Sequence, residues 1–95
     1  MTNTVYVQEE NRIKETVTNF LLSAIRISNL KGDDHLFESG IVNSLFAVQL
    51  MTFLEKNFVL EIGMDDLDME NFKSVNATTA FVMRKKGWER VGAAS

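Results

Sequence analysis

The sequence predicts an all-α four-helix bundle, built from three longer helices, one short helix and a long loop between helices I and II. Two observations carry this. Apolar residues recur at three- and four-residue spacings in three separate segments of the 95-residue chain. No segment shows the alternation of a half-buried strand, and the strand-like 57–62 is too isolated to build a sheet.

From Glu9 onward, Ile13, Val17, Phe20, Leu21, Ala24 and Ile25 fall on one helix face. Glu9 and Glu10 are expected near the positive end of the helix dipole and Arg26 near the negative end. Ser28, Asn29 and Gly32 close the helix. Residues 1–8 lack this periodicity and are expected to form a flexible terminus, 9–87 the domain, and 88–95, which include Trp88, a flexible tail.

Residues 30–43 form a connection longer than helical bundles commonly use. Leu36 with Phe37, and Ile41 with Val42, are expected to pin it to the core, and Gly40 to supply a backbone conformation closed to other residues. Asn43 is a good N-cap for a second helix over Ser44 to Phe58. On that helix Ala47, Leu50, Met51, Leu54 and Phe58 form the core stripe. Leu45 and Val48 fall roughly opposite with Gln49, Thr52 and Lys56, while Phe46 and Phe53 flank the two faces. A helix of a simple bundle needs only the core stripe, so the apolar pair beside Ser44 asks for another explanation.

Beyond it, Ile62 is expected as a buried plug, and Asp65 to Lys73 as a short helix using Leu67 and Phe72. Ser74 caps a last helix running from Val75 to about Lys86. Its core residues are Val75, Thr78, Phe81 and Val82, its C-terminal cations Arg84, Lys85 and Lys86, and Gly87 takes the C′ position.

Composition narrows the function. Hydrophobic residues make up 45% of the chain and charged ones 24%, the balance of one small globular domain. With no cysteine, neither a disulfide framework nor a thiolate metal site can form, in keeping with a reducing cytoplasm. The net charge of −3 disfavours a nucleic-acid surface and points to basic protein partners. No apolar run has membrane-spanning length, and no signal-peptide core follows Met1.

No catalytic constellation emerges. The single histidine, His35, lies in the long loop beside Asp33 and Asp34 and reads as a solvated bystander. Asp66-Leu67-Asp68-Met69-Glu70 resembles the start of a calcium loop, but Asn71 stands where the turn glycine belongs and Ala77 where the bidentate glutamate belongs. No metal ligand set and no catalytic residue is assigned. Ser44 is the exception among the polar residues. Asn43 already caps its helix, a long loop delivers it, and apolar side chains surround it away from the core.

The run Leu36-Phe37-Glu38-Ser39-Gly40-Ile41-Val42-Asn43-Ser44-Leu45 resembles the attachment motif of acyl carrier proteins, which show a leucine-phenylalanine pair, an acidic residue, a glycine, two apolar residues and then aspartate-serine-leucine. Val48, Leu50, Leu54, Glu55, Phe58 and Ile62 continue the family's pattern. Glu70-Asn71-Phe72-Lys73-Ser74-Val75 is similar to the approach to the last helix in polyketide and peptidyl carriers.

The resemblance implies the acyl-carrier fold over roughly Ile13 to Val82. It implies a 4′-phosphopantetheine arm, drawn from coenzyme A, on Ser44, with an acyl group held on the arm's thiol as a thioester. Its implied partners are a phosphopantetheinyl transferase, an acyl-loading enzyme and an acceptor synthase or acyltransferase, met through Glu38, Asn43, Leu45 and Val48. The chain would act as a non-catalytic, cytoplasmic monomer, a discrete carrier of polyketide or nonribosomal-peptide type with an extender or aminoacyl cargo. D-alanyl or fatty-acyl carriage is the neighbouring alternative. Asn43 departs from the usual aspartate and puts the choice of transferase in question. A reading from another class is a helical adaptor in which Phe46, Leu45 and Val48 bind protein and Ser44 only caps.

Overall fold

The computed structural model describes residues 3–25, 29–40 and 42–87. Three α-helices run in the order α1 (Asn3–Ile25), α2 (Ser44–Phe58) and α3 (Val75–Lys85). Two 3-10 turns, Met64–Asp66 and Met69–Phe72, lie between α2 and α3, and there is no strand among the described residues. The expected short fourth helix is therefore present as two tight turns. Leu67 falls between them and is 53% exposed, whereas Phe72 is buried as expected. A 3-10 turn repeats every three residues, so the five-residue spacing of Leu67 and Phe72 does not bring both inward.

α1 starts at Asn3, six residues before the expected Glu9, so residues 3–8 are helical and Glu9 and Glu10 lie in its second turn. Val5 and Val7 in this extension are exposed and only Tyr6 packs on the core, which is why apolar periodicity missed it. At about 1.5 Å per residue α1 is roughly 35 Å long against roughly 23 Å for α2 and 17 Å for α3. Tyr6 near its start and Ile25 at its end both pack on the core, whereas Ala24, expected in the core, is exposed. Arg26, Ser28, Ile41, Trp88 and the rest of 88–95 lie outside the described residues.

Ile13, Val17 and Leu21 of α1 meet Leu50, Leu54 and Phe58 of α2 and Val75, Phe81 and Val82 of α3 in one core. Leu36, Val42 and Phe72 from the connections close it, and Met51 and Ile62 pack at its edge. Each fully buried side chain of leucine size contributes about 1.5–3 kcal/mol. Phe20 of α1 stacks on Phe53 at 4.0 Å and on Phe46 at 5.7 Å between ring centroids, so this α2 pair faces α1. Thr79 and Met83 of α3 are also buried, beyond the four residues its pattern predicts.

The end of α3 fastens the rest. Arg84 donates to the Asn71 side-chain oxygen at 2.9 Å, Lys85 to Asp66 at 2.8 Å and Lys86 to the Phe58 carbonyl at 3.3 Å. Three successive cations thus tie both 3-10 turns and the end of α2 to one helix. Gly87 follows in the left-handed conformation at φ 87°.

Candidate functional site

The loop before α2 is held at both ends. Leu36 is fully buried; its N–H donates to the Lys73 carbonyl at 2.8 Å, and its own carbonyl accepts from the Val42 N–H at 2.9 Å. Between them the chain makes a tight turn in which Ser39 donates its N–H to the His35 carbonyl at 3.2 Å and Gly40 to the Phe37 carbonyl at 3.1 Å. Gly40 takes φ 82°, with nothing within 4 Å of where a Cβ would stand. Backbone conformation, not crowding, is what asks for glycine here.

Val42 then returns to the core, and Asn43, in extended conformation, accepts the Phe46 N–H on its side-chain oxygen at 2.9 Å. Ser44 is the first residue of α2, two positions beyond a buried anchor and one beyond the cap. The helix ladder and the cap together fix the direction of the backbone at that residue. The partial positive charge of a helix start favours a phosphodiester there. A phosphate group on Ser44 fits this setting: the neighbouring side chains Leu45 and Val48 are 72% and 54% exposed, so the helix head is not closed over.

Glu38 stands exposed in the loop, 3.6 Å from His35 Nδ1. Asn43 is exposed, with its side-chain oxygen committed to the cap. The structure thus brings Asn43, Ser44, Leu45 and Val48 to one end of α2 and leaves Glu38 on the loop that leads there.

A relationship absent from the sequence reading is the cleft of about 240 Å³ between this loop and the second 3-10 turn, lined by His35, Phe37, Glu38, Met69, Glu70 and Lys73. Lys73 donates to Glu70 at 2.8 Å, which holds the ammonium above its ordinary pKa. Spacing within either segment gave no sign of this pairing, because the Leu36–Lys73 backbone bond that makes it is long-range. His35 is one wall of the cleft.

The segment resembling a calcium loop has structural work instead. The Asp66 carboxylate accepts from the Gly63 N–H at 3.0 Å and from Lys85 at 2.8 Å, and Asp68 accepts from the Glu70 N–H at 3.0 Å. The Lys85 bond first, and then the Gly63 amide, hold the Asp66 carboxyl below the usual aspartate range. Among the described residues no three His, Asp or Glu side chains converge as a metal site, and no helix is long and apolar enough to cross a membrane.

The family model described as the phosphopantetheine attachment site matches residues 15–82. The chain is similar to the probable acyl carrier protein PigG of Serratia sp., 31% identical over 87 residues that cover 92% of this chain and 98% of the relative. It is also similar to the D-alanyl carrier protein of Lactococcus lactis subsp. lactis, 35% identical over 54 residues that cover 57% of this chain and 68% of the relative.

Proposed function

The chain belongs to the phosphopantetheine-binding carrier proteins, and from that premise we propose that Ser44 is its attachment residue and that it carries an acyl or aminoacyl group between enzymes. Members of the family hold 4′-phosphopantetheine covalently. The observation that supports Ser44 is its place as first residue of a side-chain-capped helix, directly after the anchored loop and beside the exposed Leu45 and Val48.

In the attachment step the Ser44 hydroxyl attacks the phosphorus of coenzyme A that bears the pantetheine. One phosphorus–oxygen bond of the pyrophosphate breaks, adenosine bisphosphate departs, and the serine proton passes to a base. The transferase supplies that base and its metal ion, because the chain places no base at this position by sequence. Once attached, the group supplies the thiol on which a thioester forms, a function that a chain without cysteine cannot perform itself. The chain's own part is to hold the serine at the helix head and to present a surface to each enzyme through Glu38, Asn43, Leu45 and Val48. It is a non-catalytic subunit, acting as a monomer in the cytoplasm where coenzyme A is supplied. An acyl-loading enzyme and an acceptor synthase or acyltransferase complete its cycle.

The relatives' names span acyl and D-alanyl cargo. We place this chain among carriers of polyketide or peptide type, with an extender unit or aminoacyl group as cargo. Intact-mass measurement with coenzyme A, magnesium and broad-specificity phosphopantetheinyl transferases tests the attachment. One phosphopantetheine is gained by wild type and none by Ser44→Ala. No gain by folded wild type across several transferases, or an equal gain by Ser44→Ala, overturns the assignment. In the first case Leu45 and Val48 become the centre of a protein-binding adaptor surface.

A further inference from the structure

We infer that residues 60–71 form a strap that opens as a unit while the helices stay folded, and that Lys85 is the latch that holds it shut. The inference stands apart from the carrier reading, since it concerns how the domain closes.

The strap has firm ends and a thin middle. At one end Val59 turns the chain out of α2 in the left-handed conformation. At the other, Phe72 is buried and meets Phe81 edge-on, with 5.2 Å between ring centroids. None of residues 60–71 between them is buried. Leu60 and Ile62 pack on the edge of the core, while Met64, Leu67 and Met69 are exposed. Little apolar area holds the segment down, which is the condition for opening at a lower free energy than global unfolding.

Its hydrogen bonds fall into two sets. Those within the strap close over five residues or fewer: the Asp66 N–H donates to the Gly63 carbonyl at 3.0 Å, the Asn71 N–H to the Asp68 carbonyl at 2.9 Å and the Asn71 side-chain amide to the Asp66 carbonyl at 3.0 Å. These bonds can lift with the strap. Apart from the Leu60 N–H on the Glu55 carbonyl, which finishes α2, the bonds that cross to the helices rest on side chains. The Ile62 N–H donates to the Glu55 carboxylate at 2.9 Å, Arg84 to Asn71 at 2.9 Å and Lys85 to Asp66 at 2.8 Å.

The surroundings of Lys85 set its bond apart. A cleft of about 540 Å³ where the strap meets α2 and α3 is lined by Glu55 of α2, by Glu61, Asp65 and Asp66 of the strap, and by Lys85 of α3. Lys85 is the one cation among the described residues that line it. Lys85 and Asp66 keep only 31% and 22% of their side-chain surface exposed, so water screens this pair less than a free surface pair. Removing the lysine charge therefore acts twice. It breaks the bond to Asp66, and it leaves four carboxylates around one cleft whose mutual repulsion drives the strap outward.

Hydrogen exchange of backbone amides, followed by NMR on the full chain at low urea concentrations, reads the strap and the core separately. The Ile62, Gly63 and Asn71 amides exchange with a shallower urea dependence than those of Val17, Leu21 and Val82, because opening exposes only part of the surface that unfolding exposes. Lys85→Gln speeds strap exchange roughly ten-fold, the scale of losing a hydrogen bond between charged groups. Lys85→Arg, which keeps the charge, stays near wild type. Salt supplies a sign that a merely structural contact would not give. Raising it from about 0.1 M to about 1 M shortens the Debye length from about 10 Å to about 3 Å. Strap exchange then speeds up in wild type, where an attraction is screened, and slows down in Lys85→Gln, where a repulsion is screened.

One urea slope shared by strap and core amides overturns the separate opening. Unchanged exchange in Lys85→Gln, or a salt response of the same sign in both proteins, overturns Lys85 as the latch. The samples carry no phosphopantetheine, so none of these outcomes bears on the carrier reading.

Discussion

Leu36 and Lys73 are joined by a backbone hydrogen bond of 2.8 Å across the domain, so the loop that leads to Ser44 is tied to the turn that leads to α3. A second bond runs parallel in purpose: the Asn76 N–H donates to the Gly32 carbonyl at 2.8 Å. The first half of the long loop, at Gly32 and Leu36, is therefore bonded to Asn76 and Lys73 on either side of the α3 cap. The serine's position depends on a helix thirty residues further along the chain as much as on its own.

The Gly32 contact is close enough to test. A Cβ at Gly32 would stand 2.4 Å from the Asn76 side-chain oxygen and 3.0 Å from Lys14 Cε. Gly32→Ala forces both side chains aside and costs about 1 kcal/mol, at the low end for overpacking because both can rotate. Asn76→Ala removes the nearer obstacle. Urea unfolding of the single and double variants then gives a coupling of about 1 kcal/mol; additive effects would contradict the contact.

Asn43 holds the head of α2 with its side-chain oxygen. Asn43→Ala loses the cap and about 1 kcal/mol of stability, while Asn43→Asp keeps an acceptor in place and changes stability by a few tenths of a kcal/mol at most. The aspartate also adds the charge usual in the family's motif, so its modification by the transferase is faster at low salt than that of wild type. Thermal unfolding and initial modification rates separate the two effects. Equal rates for Asn and Asp would show that the transferase ignores this charge.

Val59 closes α2 in the left-handed conformation, with φ 53° and ψ 58°, and is 89% exposed. A β-branched side chain gains nothing there by burial and bears the steric cost of that region, about 1–2 kcal/mol. Val59→Gly removes this cost against the greater entropy of glycine when unfolded, for a net gain of about 1 kcal/mol. That corresponds to a rise in Tm of about 4–8 °C for a domain of this size. An unchanged or lower Tm counts against the strain.

The lowered Asp66 pKa has a definite sign. A carboxyl held below its ordinary value of 3.8 by Lys85 and the Gly63 amide binds its proton more readily when unfolded. The stability it adds is present above that value and disappears as pH falls through the lower, folded value. Asp66→Asn is therefore less stable than wild type at neutral pH, and the Tm difference narrows progressively as pH falls through the acid range in which the carboxyl takes up its proton. A difference that vanished nearer neutrality would rule out the Asp66–Lys85 bond as its source.

Local chemistry was enough to read much of this protein. The bounds of α2, its Asn43 cap, the Ser74 cap of α3 and the turn glycines Gly40 and Gly87 follow from side chains acting on backbone within four residues of themselves. The stripe of Leu50, Leu54 and Phe58 and the exposure of Leu45 and Val48 follow from helical period. Where the pattern carried no period, as at residues 3–8 and around Leu67, the reading failed, since exposed apolar side chains leave no signature of a helix or a turn.

Tertiary structure decided which α2 aromatics stack on Phe20 and that Glu38 and Glu70 line one cleft. These depend on bonds such as Leu36–Lys73 and Arg84–Asn71, formed between segments far apart in sequence. Sequence alone determined a serine at the head of a capped helix. Its surroundings were set by loop closure and packing, whose free energies belong to pairs of distant residues and to no single stretch.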